Sequence, residues 1–304
     1  MNDSNITYIA VDIAKDSLQV QCNQHSFKLD YTTEGLSNLF QCLKNYDRPI
    51  VVCEATGGYE RKLIQYLCEH QISVSLLNPA EVRAFARSQG IKAKTDTIDA
   101  KIILAFAQQR PPRIYQPNSA QQQKLVDLMD RRTQLTDMLT EEKNRLKKAA
   151  KSIVASIEKI IASLEKELNS IEEELRNLVD SDCTMQRQAK LMQSVVGVGE
   201  ATSWCILAYF REITTIGRNQ AVALVGLAPF NSDSGNYTGK RFIRAGRDKL
   251  RKCLYMAAQS AARFNPVIKP YVESLLHRGK PYKCAMVAAM RKLLIHIQSL
   301  LKYC

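Results

Sequence analysis

Between Ser119 and Val196 the chain contains neither glycine nor proline, although Pro111, Pro112 and Pro117 stand just before this stretch and Gly197 and Gly199 just after it. So long a run without a breaker leaves helix as the main option. Apolar residues fall at 150, 153, 157, 160, 161, 164, 168, 171, 175 and 178. That 3/4 spacing predicts a long coiled-coil-like helix, which either joins subunits or packs inside its own monomer. Asp180-Ser181-Asp182 is the expected break, which would allow an antiparallel hairpin with the helix that follows. The spacer divides the chain into three expected domains, residues 1–112, 113–182 and 183–304.

Charge follows the same division. The net charge is +13, from 43 basic and 30 acidic side chains. Residues 1–110 hold 12 of each sign, and residues 111–180 again 12 of each. Residues 181–304 hold 19 basic and 6 acidic, so the C-terminal part is where a polyanion is expected to bind. Nine widely spaced cysteines without a C-x-x-C exclude a disulfide framework and a cysteine zinc site. Four scattered histidines offer no ligand pair, so any metal must rest on carboxylates, which suits a hard cation such as Mg²⁺. The polar start, Met1 to Asn5, opens no signal peptide, and no unbroken apolar run reaches the length of a membrane span. A cytoplasmic protein is expected.

The first 110 residues read as α/β. Strands are expected at 6–11, 17–22, 25–29, 50–53 and 74–77, and helices at 59–70, 80–88 and 96–109, giving a mixed sheet flanked by helices. Four acids sit in unusual places. Asp12 and Glu54 follow apolar strands, where α/β sites form. Asp96 and Asp99 are three apart, on one face of a helix. Converging on two Mg²⁺ ions about 3.5–4 Å apart, they would suit in-line phosphoryl displacement. Singly, Asp96 also reads as a helix-start acid beside an N-cap Thr95, Asp99 as an exposed helical charge, and Asp12 as an edge turn residue.

The three acidic blocks, Ala10-Val11-Asp12-Ile13-Ala14-Lys15, Glu54-Ala55-Thr56-Gly57-Gly58-Tyr59 and Lys94-Thr95-Asp96-Thr97-Ile98-Asp99-Ala100, resemble those of the DEDD transposases of bacterial insertion sequences, which are related to the Piv-type DNA invertases. The resemblance implies an α/β N-terminal domain of RuvC-like, RNase H-type fold, a coiled-coil helical spacer and a mainly α-helical C-terminal domain. It maps Asp12, Glu54, Asp96 and Asp99 onto the metal-binding D-E-D-D set. Ala10 stands where glycine is common in the family.

The C-terminal part carries a second set of motifs: Gly226-Leu227-Ala228-Pro229, Ser234-Gly235, Lys240-Arg241, Gly246-Arg247 and Leu254-Tyr255-Met256-Ala257-Ala258. Seven of the thirteen residues 240–252 are basic, a composition suited to phosphate and equally found on solvated helix faces. Lys240, Arg241, Arg244, Arg247, Lys249 and Arg251 are the expected nucleic-acid contacts. Gly239 and Gly246 would let backbone approach a ligand closely. Alone, Ser234 reads as a turn residue, and no neighbouring histidine suggests a hydrolase triad. The resemblance makes it the nucleophile, forming a phosphoserine link to DNA; Ser232 and Tyr237 are rivals, and Tyr255 reads as packed. Ala245 stands where a second glycine is common. The turn at Gly197-Val198-Gly199 reads either as a phosphate-binding nest or as a tight interhelical turn, and Glu200 stands where the family often has proline. Trp204 reads as core.

The function so implied is that of a site-specific DNA recombinase mobilising an insertion sequence, with donor and target DNA as partners. It acts at the nucleoid, as a dimer or tetramer joined through the coiled coil, with the acids and the serine drawn from one subunit or two. The resemblance also implies guidance by a structured RNA encoded by the element. Two rivals from other classes stand beside this reading: a structure-selective nuclease such as a junction resolvase, using the acids without the serine, and a non-catalytic nucleic-acid-binding derivative.

Overall fold

The structure, a computed structural model, describes residues 6–91, 95–231, 233–234, 237–239 and 241–302. It divides into two compact units, Met1–Pro117 and Asn118–Cys304. The first holds β1 (Thr7–Ile13), β2 (Ser17–Cys22), β3 (His25–Asp30), α1 (Thr33–Leu43), β4 (Pro49–Glu54), α2 (Glu60–Glu69), β5 (Ser73–Leu77), α3 (Pro79–Ser88) and α4 (Asp96–Gln109). Its sheet has the order β3-β2-β1-β4-β5. β1, β2 and β3 form an antiparallel meander, whereas β4 and β5 run parallel to β1. The sheet is therefore mixed, as the strand pattern predicts.

Alternation along β1 assigns the two faces. Ile9, Val11 and Ile13 join Leu36, Leu39, Leu63 and Leu67 of α1 and α2 in one core. Ala10 faces the other way, with Val52 and Leu77, beneath Ile102, Ile103 and Phe106 of α4. The small side chain at Ala10 leaves room for α4 to lie directly on β1, and both Ala10 and Ile103 are fully buried.

The second unit opens with α5 (Ala120–Leu146) and α6 (Val154–Asp180). Arg132 meets Glu172 at 2.7 Å and Lys143 meets Glu165 at 2.7 Å, so the two helices run antiparallel. The glycine- and proline-free stretch gives no sign of the break between them at 147–153. It forms because folding back lets Leu164, Ile171, Leu175 and Val179 bury against a core that includes Leu125, Met129, Leu135 and Leu139, and packing outweighs local propensity. The next break falls where the sequence places it: Asp182 caps α7 (Cys183–Gln193), accepting from Thr184 and Met185 N–H.

The remaining elements are α8 (Glu200–Tyr209), a 3-10 turn (Arg211–Thr214), α9 (Arg218–Val225), four two-residue strands β6 (Pro229–Phe230), β7 (Asp233–Ser234), β8 (Tyr237–Thr238) and β9 (Phe242–Ile243), then α10 (Asp248–Phe264), α11 (Ile268–His277) and α12 (Tyr282–Lys302). α12 is long and apolar enough by composition to cross a membrane. Here it is a core helix: Ala285, Met286, Ala289, Leu293, Leu294 and Ile297 are buried, and Gln298 donates to Ile213 O and Ile216 O. Trp204 is buried and Tyr255 packs partly buried against the same core.

Candidate active site

The register of the sheet brings two of the four acids together. Val11 and Cys53 are partners on the parallel strands β1 and β4, so Asp12 and Glu54 follow them side by side at the carboxyl ends. Both lie two residues beyond the partners Ala10 and Val52, hence on the face that α4 covers. Thr95 starts α4, its hydroxyl accepting from Ile98 N–H at 3.3 Å. Asp96 and Asp99 then occupy the first turn. All four carboxylates line a single cavity of about 1170 Å³, whose further wall is α3, with Arg83 and Arg87 one turn apart. The two arginines escaped the sequence reading; their spacing after Asn78-Pro79 was the available signal.

Glu60 is a third residue that the sequence does not mark out. Its Oε2 accepts from Thr56 N–H at 3.0 Å, Thr56 Oγ1 at 3.2 Å and Gly58 N–H at 2.8 Å. Burial works against its charge, yet hydrogen bonds from its own backbone, Gly58 and Thr56 prevail and hold the carboxyl below its ordinary value. This carboxylate shapes the loop that leaves Glu54, in which Gly57 and Gly58 both have positive φ.

The donor set is all oxygen and anionic, which fits a hard divalent cation in chemistry. As the side chains stand it is a carboxylate-lined cavity rather than a closed coordination shell: among the described residues no three carboxylate, His or Cys groups form a group that would hold an ion.

In the second unit, Ser234 lies on a minimal hairpin, β7 pairing with β8 so that Ser234 stands opposite Tyr237. Ser232, Gly235 and Lys240 fall outside the described residues. Gly226 ends α9 in the left-handed region, and a Cβ there would lie 2.2 Å from Ala245 O; one on Gly246 would lie 2.3 Å from Gly226 N. Gly246 thus serves a close approach of two backbones within the unit. Ala245 itself is held at φ 58, where its side chain is strained.

The basic run divides by role. Arg247 donates to Tyr209 O at 2.6 Å and pairs with Glu212, whose carboxyl is held low by that pairing against the effect of burial. Lys249 pairs with Asp130, and Arg251 with Asp248 at 2.7 Å and with Ala245 O. These three cations tie α10 to its surroundings. Arg244 instead lies over two exposed rings, Phe230 and Phe242. At the Gly197 turn, a Cβ would come 2.7 Å from Ala261 of α10, and Glu200 binds Arg176 of α6 through two hydrogen bonds of 3.0 and 2.8 Å. Close helix packing accounts for that turn.

A DEDD transposase model of the IS110 type matches residues 9–155, and a model of the IS116/IS110/IS902 transposase family matches residues 189–273. The chain belongs to this transposase family. It is also similar to the pilin gene-inverting proteins of Moraxella lacunata and Moraxella bovis. Each is 27% identical over 301 residues, covering 95% of this chain and 93% of theirs. The transposase is therefore a DNA-recombining enzyme of an insertion sequence, and its family implies use of a divalent metal.

Proposed function

We propose that this transposase mobilises its element by serine-mediated strand exchange, with Asp12, Glu54, Asp96 and Asp99 holding the divalent cation, Mg²⁺, and Ser234 as nucleophile. The observation that carries the reading is the meeting of four acids, from three separated segments of chain, in one cavity. The sheet order, a meander on one side of β1 and parallel strands on the other, supports a RuvC-like first domain (1–112). Residues 113–182 and 183–304 are the spacer and the serine-bearing domain.

A cation bound by the four carboxylates would neutralise phosphate charge and polarise the reacting oxygens. The Ser234 hydroxyl oxygen bonds to phosphorus, the bond from phosphorus to one strand end breaks, serine loses its proton and the departing strand oxygen gains one. The phosphodiester's energy is kept in the serine ester, so a second strand end can reverse the step and rejoin DNA. Arg241 and Arg244 hold the DNA backbone, and Lys240, Arg247, Lys249 and Arg251 contribute to the same positive field. Donor and target DNA are chosen by a structured RNA of the element, and the enzyme works in the cytoplasm at the nucleoid. The α5–α6 hairpin joins subunits as a coiled coil; exposure of Ile153 and Ile160, 51% and 45%, supports this.

Covalent capture on denaturing gels tests the chemistry. The wild type should form a protein–DNA adduct with its element's DNA and RNA, whereas Ser234→Ala and Asp12→Asn should each form at least a hundredfold less (about 3 kcal/mol of barrier). Strand cutting that persists in Ser234→Ala would identify a resolvase-like nuclease instead. Binding without cutting in the wild type, under any guide, would identify a non-catalytic derivative. Recovery of activity on mixing the two variants would place acids and serine on different subunits; no recovery would place them on one.

A further inference from the structure

β6 and β9 form a two-residue ribbon in which Phe230 stands directly opposite Phe242 and Pro229 opposite Ile243. Directly opposed residues project to the same face, and Arg244, two after Phe242, returns to it. Its guanidinium carbon lies 4.5 Å from the Phe230 ring centre and 5.8 Å from that of Phe242. Ile243 turns the other way, into the helical core. Phe230 is 39% exposed and Phe242 51%.

A lone exposed phenylalanine is ordinary. Two side by side, with a cation laid over them, are not explained by folding. The ribbon packs the smaller Ile243, partly buried, against the helices and leaves both rings outside, although the opposite assignment would remove more apolar surface from water. Aromatic faces beside a guanidinium match a partner that is planar, polarisable and attached to negative charge. Among polyanions that describes a nucleobase with its phosphate. In a duplex the faces of bases are covered by their neighbours, so the base must be unpaired. The sequence agrees, since the segment 240–252 that holds Phe242 and Arg244 has seven basic residues against one acid, although Arg247, Lys249 and Arg251 are engaged by Glu212, Asp130 and Asp248.

We infer that Phe230, Phe242 and Arg244 form a platform on which one unpaired base of the DNA strand undergoing exchange stacks. The inference rests on the reading of this segment as the DNA-facing one. The ribbon brackets the chain that carries Ser234, so a stacked base fixes the register of the strand relative to the serine hairpin. These are positioning residues, and none of them touches the reacting atoms.

The test uses the full-length protein and a short single-stranded DNA with one 2-aminopurine, whose fluorescence is quenched on stacking. Wild type should quench it. Phe230→Leu and Phe242→Leu together should weaken binding by about five- to a hundredfold and abolish the quench, with an unchanged slope of log affinity against log salt. Phe242→Tyr, which keeps the aromatic face, should retain both. Wild-type affinity and quench in the double leucine variant would overturn the platform. So would a Phe242→Tyr variant as weak as the leucine one, which would mark a packing role, or a change of oligomeric state with DNA affinity intact, which would mark a protein interface. If the wild type binds no single strand and forms no serine adduct, the reading of the site fails rather than the platform alone.

Discussion

At the scale of residues, Glu60 governs the loop that begins at Glu54. Its carboxylate accepts from Thr56 and Gly58, and those bonds favour the charged form. The folded value lies below the ordinary one near 4.5. A depressed carboxyl stabilises the fold above its unfolded value and loses that contribution as pH falls through the folded one. Glu60→Gln should therefore lower stability at pH 7, by roughly 0.5–1 kcal/mol because solvent screens the partly exposed carboxylate. The gap between variant and wild type should begin to narrow as pH falls through about 4.5 and close only below the lower, folded value, where the folded wild type also becomes neutral. Thermal melts of both proteins across that range check this, and a gap that stays constant down to acid would show that the charge is not what holds the loop. Asp12 and Glu54 were legible as site candidates because an acid ending an apolar strand is conspicuous. Glu60 was not, since an acid in a first helical turn looks like any other.

At the scale of elements, the strands of the first unit and α4 were legible. Ile50 to Cys53 is an unbroken apolar run, and Thr95-Asp96 is a clear helix start. The turn between α5 and α6 was not, because it contains no breaker and forms through tertiary contacts, among them the pairing of Arg132 with Glu172 and the burial of Leu164, Ile171, Leu175 and Val179. The two-residue strands around Ser234 were equally hidden: two residues carry no period, and their pairing depends on contacts formed elsewhere. Ile153 in the hairpin turn and Ile160 in the first part of α6 stay exposed. If they join subunits, replacing both by serine should shift the protein to smaller species in sedimentation velocity without lowering its melting temperature. An unchanged oligomer would remove the hairpin tip from the interface.

On the scale of the whole molecule, charge and role are divided between sequence regions: residues 1–110 are balanced, while 181–304 carry the excess. Composition counts those cations, but only the folded contacts sort them by role. Arg247, Lys249 and Arg251 hold Glu212, Asp130 and Asp248. Neutralising Arg241 and Arg244 to glutamine should lower DNA affinity and reduce its salt slope by about one per lost phosphate contact. Titrations at several salt concentrations measure this, and an unchanged slope would assign the two arginines to solubility.

The backbone contact of Gly226 with Gly246, together with the pairing of Phe230 with Phe242, fastens the intervening chain at both ends. Such a segment behaves as a cassette. Exchanging the chain between Phe230 and Phe242 for that of a relative should leave the clasp formed, because Gly226, Phe230, Phe242 and Gly246 are all kept. On the function proposed above, a graft of residues 231–241 as one piece, with both glycines left in place, is the exchange that should alter strand preference without unfastening the clasp.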